Sequence, residues 1–135
     1  YRCMKTLYSI LCLTVLAALS VQAGDMKKME VGNIEHEALK KAIAEESVTL
    51  IDVNGTKSFK AGHIPGAIDF IAEKESLAAK LPADKNALIV AYCSNENCGA
   101  YMKGAKAAQK LGYTNVKHYS AGIMGWKEKE EVEKG

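Results

Sequence analysis

The run "ALIVAYC", Ala87 to Cys93, is apolar without a break and gives way at once to the polar stretch "SNEN". A strand with one wet face alternates apolar and polar residues, whereas an unbroken run of this length fits a strand covered on both faces. Such strands belong to parallel sheets, whose neighbours must be joined by crossovers that are usually helical. The run therefore predicts a buried central strand and, around it, a chain that alternates strands with helices.

The flanking segments supply that alternation. "NIEHEALKKAIAEE" carries Ile34, Ala38, Leu39, Ala42 and Ile43 at helical spacing, with Asn33 as the expected N-cap. "VTLIDV", Val48 to Val53, reads as a buried strand that stops at the turn pair Asn54-Gly55. In "FKAGHIPGAIDF", Gly62, Pro65 and Gly66 punctuate a tight connection into a short strand near Ala67 to Phe70. Glu73 to Leu81 reads as a short helix stopped by Pro82. Ala100 to Leu111 returns to helical spacing and closes on Gly112 as a C′ glycine. "NVKHYSAG" gives a last strand, and Ile123 to Glu133 a polar terminal helix around Trp126. The expected architecture is an α/β fold with helices on both faces of the sheet, in one domain over residues 33–135.

Residues 1–23 stand apart. "MKTLYSILCLTVLAALSVQA" has a basic Lys5, an apolar run from Leu7 to Ala18 that is short for a bilayer span, and small residues Val21 and Ala23 before a cleavage expected after Ala23. Tyr1 to Cys3 read as lying upstream of the start, Leu11 before Cys12 argues against a lipobox, and residues 24–32 form an N-terminal extension. A periplasmic or secreted protein is expected, with no stable membrane association once the signal is removed. Losing Arg2 and Lys5 leaves 16 of the 18 basic residues against 16 acidic ones, and no arginine at all. A neutral chain disfavours nucleic acid as a partner. The mature cysteines are Cys93 and Cys98 only, and an oxidising compartment leaves a close pair bridged or chemically employed.

Ligands of open parallel sheets gather beyond the carboxyl ends of the strands, where Cys93 falls. If Ser94, Asn95, Glu96, Asn97 and Cys98 form a tight loop into a helix starting near Gly99, backbone N–H groups and the helix N-terminus converge on an anion-binding centre. A thiol at its edge has its thiolate stabilised and its pKa lowered, and Gly99 allows close packing where loop meets helix. By the residues alone, Cys93 is equally a small buried residue at a strand end.

Three segments, in order and spacing, resemble the rhodanese-like sulfurtransferase family: "LIDVNGTKSFKAGHIPGAI", "LIVAYCSNENCGAYMKGAKAAQKLGYTNV" and "HYSAGIMGW". The resemblance covers about Asn33 to Lys127. It implies a rhodanese-like fold of about five parallel strands, with Cys93 as catalytic nucleophile and Ser94 to Gly99 holding the substrate. Cys93 would take a sulfane sulfur from a small donor such as thiosulfate, carry it as a persulfide without cofactor or metal, and pass it to a thiol or cyanide. Asp52, His63 and Pro65 are then mainly architectural.

Places where the family often has arginine hold Asn54, Glu96 and Cys98 here. Lys103 and Lys106 are the nearest cations in sequence, and Glu96 repels a dianionic donor, so a polysulfide or persulfide suits the loop better. The missing arginine also argues against the related phosphatase and arsenate-reductase chemistry, which needs a bidentate clamp. Cys98 admits three readings: a helix-start residue without chemistry, a redox partner of Cys93 that resolves a persulfide or forms a disulfide, or a soft-metal ligand together with His118. A catalytically silent, redox-sensing module is the alternative to the enzyme.

Overall fold

The computed structural model describes residues 30–135. The expected signal segment and cleavage point, and Cys3 and Cys12, lie outside the described residues. Among the described residues no helix is long and apolar enough to cross a membrane.

Five strands form one sheet: β1 (Gly32–Asn33), β2 (Val48–Asp52), β3 (Ile68–Asp69), β4 (Leu88–Tyr92) and β5 (Val116–Tyr119). Their order is β1-β5-β4-β2-β3, and every pair is parallel. The apolar run is the central strand β4, in register with Ile51 and His118 at Ala91 and with Asp52 and Tyr119 at Tyr92. Alternate residues of β4 enter opposite cores. Ile89, Ala91 and Cys93 pack with Ile51, Ala105 and Ala108 on one face, and Val90 and Tyr92 with Leu39, Ile123 and Trp126 on the other. Both faces are thus dry, which is why the run has no polar position.

Six helices cover these faces: α1 (His36–Ala44), α2 (Thr56–Ala61), α3 (Phe70–Glu73), α4 (Leu77–Lys80), α5 (Tyr101–Lys110) and α6 (Gly122–Lys127). α5 ends as its glycine requires, with Gly112 at φ 96° just past the C-cap Leu111. It also lies very close to the sheet. A Cβ on Gly104 would sit 2.9 Å from Ile51 Cγ2 and from Val53 Cγ1, so only glycine fits at that crossing.

Several expected boundaries move, each for a local reason. Asn33 is not the N-cap of α1, since it pairs in β1 and its Oδ1 accepts from the Ser120 N–H at 3.0 Å. The cap position falls to Glu35. β1 also draws Gly32 into the sheet, one residue before the expected domain start. Phe59 to Ala61, expected as part of a tight connection, instead end the helix α2, which starts after Gly55 at φ 96°. The expected Glu73 to Leu81 helix is split into α3, a 3-10 turn over Lys74–Ser76, and α4. Asp69 caps α3 by accepting from the Ile71 and Ala72 N–H groups, and Ser76 Oγ donates to Glu73 Oε2 at 2.7 Å where the helix breaks. α6 stops at Lys127 because Trp126 Nε1 donates to the Glu131 carbonyl at 2.9 Å and turns the tail back. The tail then forms an antiparallel bridge between Glu133 and His63.

Candidate active site

Cys93 follows the last residue of β4, and its side chain continues the Ile89 and Ala91 face toward α5. It is 5% exposed. Its sulfur is bonded to that of Cys98, with the Cα atoms 6.1 Å apart, inside the window a disulfide requires. The intervening loop is curled by Asn95, whose carbonyl accepts from the Cys98 N–H at 3.1 Å and whose Oδ1 accepts from the Asn97 N–H at 3.0 Å. This Asx turn brings the two ends of the loop together. It also engages two of the N–H groups expected to point at a bound anion. Ser94 Oγ lies 3.9 Å from Cys93 Sγ. Glu96 is exposed at the loop's tip.

The helix begins at Tyr101 with Ala100 as N-cap, close to the expected start near Gly99. A Cβ on Gly99 would meet nothing within 4 Å, so close packing there is not the reason for that glycine, and Gly104 fills the role instead. Of the three readings of Cys98, the bonded pair is the one the structure contains. His118 stands apart from it in another contact, edge-on to Tyr101 at 4.2 Å between ring centres. Burial pushes the His118 pKa down, and its Nδ1 has no partner. Among the described residues no group of three or more His, Cys, Asp or Glu could hold a metal ion.

The back of the loop is clamped by α6. The Ile123 N–H donates to the Cys93 carbonyl and the Met124 N–H to the Ser94 carbonyl, both at 3.0 Å. Gly122, at φ 63°, makes this approach possible: a Cβ there would lie 2.6 Å from the Cys93 oxygen and 2.7 Å from the Ser94 oxygen. In the sequence this glycine stands only as the first residue of a Gly-x-x-x-Trp helix start within "HYSAGIMGW". The spacing from Gly122 to Trp126, which anchors α6 in the core, was the available signal.

The aspartate and histidine motifs build the floor. Asp52 Oδ2 accepts from the Tyr92 hydroxyl at 2.7 Å, and the same hydroxyl accepts from the Ile64 N–H at 3.0 Å. Asp52 Oδ1 accepts from the Asn54 N–H at 2.8 Å. Burial pushes the Asp52 pKa up against these hydrogen bonds, and burial with the nearby carboxylate pushes the Tyr92 pKa up. His63 stacks on Phe59 at 3.6 Å, and its Nδ1 donates to the Phe59 carbonyl at 2.7 Å. Asp52 and His63 thus tie strand ends and turn to one another.

A cavity of ≈ 540 Å³ opens beside the loop, lined by Asn95, Glu96 and Asn97 on one side and by Glu35, Glu128 and Lys129 among others. Lys103 and Lys106 are not in it; they line a second recess with Phe70 and Lys74. The lysine lining the cavity is Lys129; neither Cys93 nor Cys98 lines it. On the cavity wall His36 Nδ1 is 2.8 Å from the Tyr119 hydroxyl, and its Nε2 is 3.3 Å from Glu130, which pairs with Lys40 at 2.8 Å. Met124, 56% exposed, takes a contact from Asn95 Nδ2 at 3.6 Å. No local pattern in the sequence marks Glu35, His36 or Lys129, because the fold brings them in from both ends of the domain.

Five parallel strands, with a cysteine just past the carboxyl end of the central one, a short loop and a clamped helix start, define an α/β fold of the rhodanese type. The model of the rhodanese-like domain matches residues 35–129, and the chain belongs to that family. It is 34% identical over 113 residues to the HTH-type transcriptional regulator Rv0324 of Mycobacterium tuberculosis, covering 83% of this chain and 49% of the regulator. The chain therefore spans about half the length of that relative. It is 30% identical over 105 residues to the human thiosulfate:glutathione sulfurtransferase, covering 68% of this chain and 90% of the enzyme. Among solved structures, the BH2092 protein of Bacillus halodurans is 27% identical with a TM-score of 0.59, covering 76% and 77% of the two chains.

Proposed function

We propose that this chain is a sulfurtransferase in which Cys93, in its thiol form, carries a sulfane sulfur from donor to acceptor. The observation that carries the reading is the position of Cys93, held at the end of β4 between the start of α5 and the α6 clamp. In this scheme the Cys93 thiolate attacks the outer sulfur of the donor, the donor's S–S bond breaks, and its electron pair leaves with the remainder of the donor. A thiol or cyanide acceptor then attacks the outer sulfur of the persulfide, and Cys93 departs as thiolate. Negative charge at this place is favoured by the helix start behind it. No cofactor enters either step.

Glu35, Glu96 and Glu128 line the cavity beside the loop, together with Lys129. They support a polysulfide or low-molecular-weight persulfide as donor in preference to dianionic thiosulfate. Export through residues 1–23 to a periplasmic or extracellular location is part of the same proposal. The disulfide favours a second reading, a module that only senses redox state through Cys93 and Cys98. Mass spectrometry separates the two. Reduced protein treated with polysulfide gains one sulfur atom on Cys93 in the enzyme, at least in the Cys98→Ser background, and Cys93→Ser gains none. Failure of Cys98→Ser to gain sulfur from polysulfide or thiosulfate refutes the sulfurtransferase.

A further inference from the structure

We infer that Cys98 is a resolving cysteine, which attacks the Cys93 persulfide, releases its outer sulfur as hydrosulfide and leaves the Cys93–Cys98 disulfide. The inference rests on the persulfide proposed above and adds to it a second activity, reduction of sulfane sulfur to sulfide.

The step balances without an outside oxidant. Cys98 thiolate attacks Cys93 Sγ of the protonated persulfide, a bond forms between the two Sγ atoms, and the bond from Cys93 Sγ to the outer sulfur breaks. Its electron pair leaves with that sulfur, which departs as hydrosulfide carrying the proton it already had. With each S–S bond shared equally, the outer sulfur goes from −1 to −2 and the Cys98 sulfur from −2 to −1, while Cys93 Sγ stays at −1. Turnover then needs a reductant of the dithiol class, which reopens the disulfide and closes its own.

Three features of the loop support this chemistry. The bonded sulfurs show that Cys98 reaches Cys93 Sγ, the inner sulfur of a persulfide, within the folded loop. The Asx turn at Asn95 holds the loop ends together, so attack by Cys98 is intramolecular and outcompetes a dilute external thiol. Exposure is also unequal. Cys93 is buried, whereas Cys98 is partly exposed at the outer end of the loop, so a dithiol reductant attacks Cys98 and frees Cys93 as the leaving thiolate.

The test is a single turnover under anaerobic conditions with reduced, desalted protein and one equivalent of glutathione persulfide, following intact mass and hydrosulfide. Wild type is expected to end lighter by two hydrogens, with no sulfur added and stoichiometric hydrosulfide above the Cys93→Ser background. Cys98→Ser is expected to retain the added sulfur on Cys93 and to release hydrosulfide at least about tenfold more slowly. A wild type that keeps its added sulfur as long as Cys98→Ser overturns the resolving role and leaves the sulfurtransferase standing. A Cys98→Ser protein that never gains sulfur overturns both, and Cys98→Ala repeats the measurement if the serine variant fails to fold.

Discussion

Replacing Gly122 by alanine tests how the cysteine loop is held. Alanine at φ 63° costs about 1–2 kcal/mol in backbone strain. Its Cβ would also lie 2.6 Å from the Cys93 oxygen, a backbone atom that moves only if the loop or α6 moves. Separation by even a few tenths of an ångström weakens the two 3.0 Å bonds from Ile123 and Met124, each worth roughly 0.5–1.5 kcal/mol. The sum is about 2–5 kcal/mol, which for a urea m-value near 2 kcal/mol/M lowers the midpoint by about 1 M or more. Urea melts followed by Trp126 fluorescence measure the stability, and sulfur loading of the reduced protein measures the site. Two other glycines in the same region serve as controls. Gly99→Ala meets nothing within 4 Å and should stay within about 0.5 kcal/mol of wild type. Gly104→Ala overpacks against Ile51 and Val53 at a cost of about 1–3 kcal/mol, yet leaves the loop clamp in place. Gly122→Ala should therefore load sulfur more slowly than Gly104→Ala at matched folded fraction. A midpoint and a loading rate both unchanged in Gly122→Ala would refute the clamp.

Asp52→Asn should change how stability depends on pH. Burial holds the folded Asp52 carboxyl above its ordinary value, so the folded protein binds that proton more tightly than the unfolded chain. Stability then falls as pH rises from the ordinary carboxylate value through the raised folded one. Urea midpoints of Asp52→Asn should lack that fall within the same window; an identical slope in the two proteins would exclude Asp52 as its source. Reducing the disulfide should lower stability by about 2 kcal/mol by the chain-entropy relation for a sequence separation of 5, read as a lower thermal midpoint with dithiothreitol in wild type and no shift in Cys98→Ser. Glu96→Gln should raise the rate of loading from thiosulfate by about two- to tenfold at low salt, with the gain shrinking as ionic strength rises. An equal gain with an uncharged trisulfide donor would show that charge is not the cause.

The sequence determined the sheet and the place of Cys93. An apolar run such as Ala87 to Cys93 is stable only with both faces covered, and that local fact carries the parallel α/β architecture and sets Cys93 at a strand's carboxyl end. Boundaries that depend on competing side-chain hydrogen bonds were less legible. Asn33 has the chemistry of an N-cap, but a backbone partner in β5 was available, and which bond forms is decided by a strand far away in sequence. The same holds for the end of α6, which Trp126 turns back toward His63.

At the site, the pattern of residues left Cys98 with three roles, because a separation of 5 fixes neither the direction nor the distance of two side chains. The curl at Asn95 brings Cys98 onto Cys93, and the two sulfurs are bonded. Distance along the chain likewise concealed Glu35, His36 and Lys129 beside the cavity, whereas Lys103 and Lys106, the nearest cations in sequence, line a different recess. Periodicity and composition report what a segment must bury. Which groups then meet across the loop depends on how β4, α5 and α6 pack, and only the tertiary structure contains that.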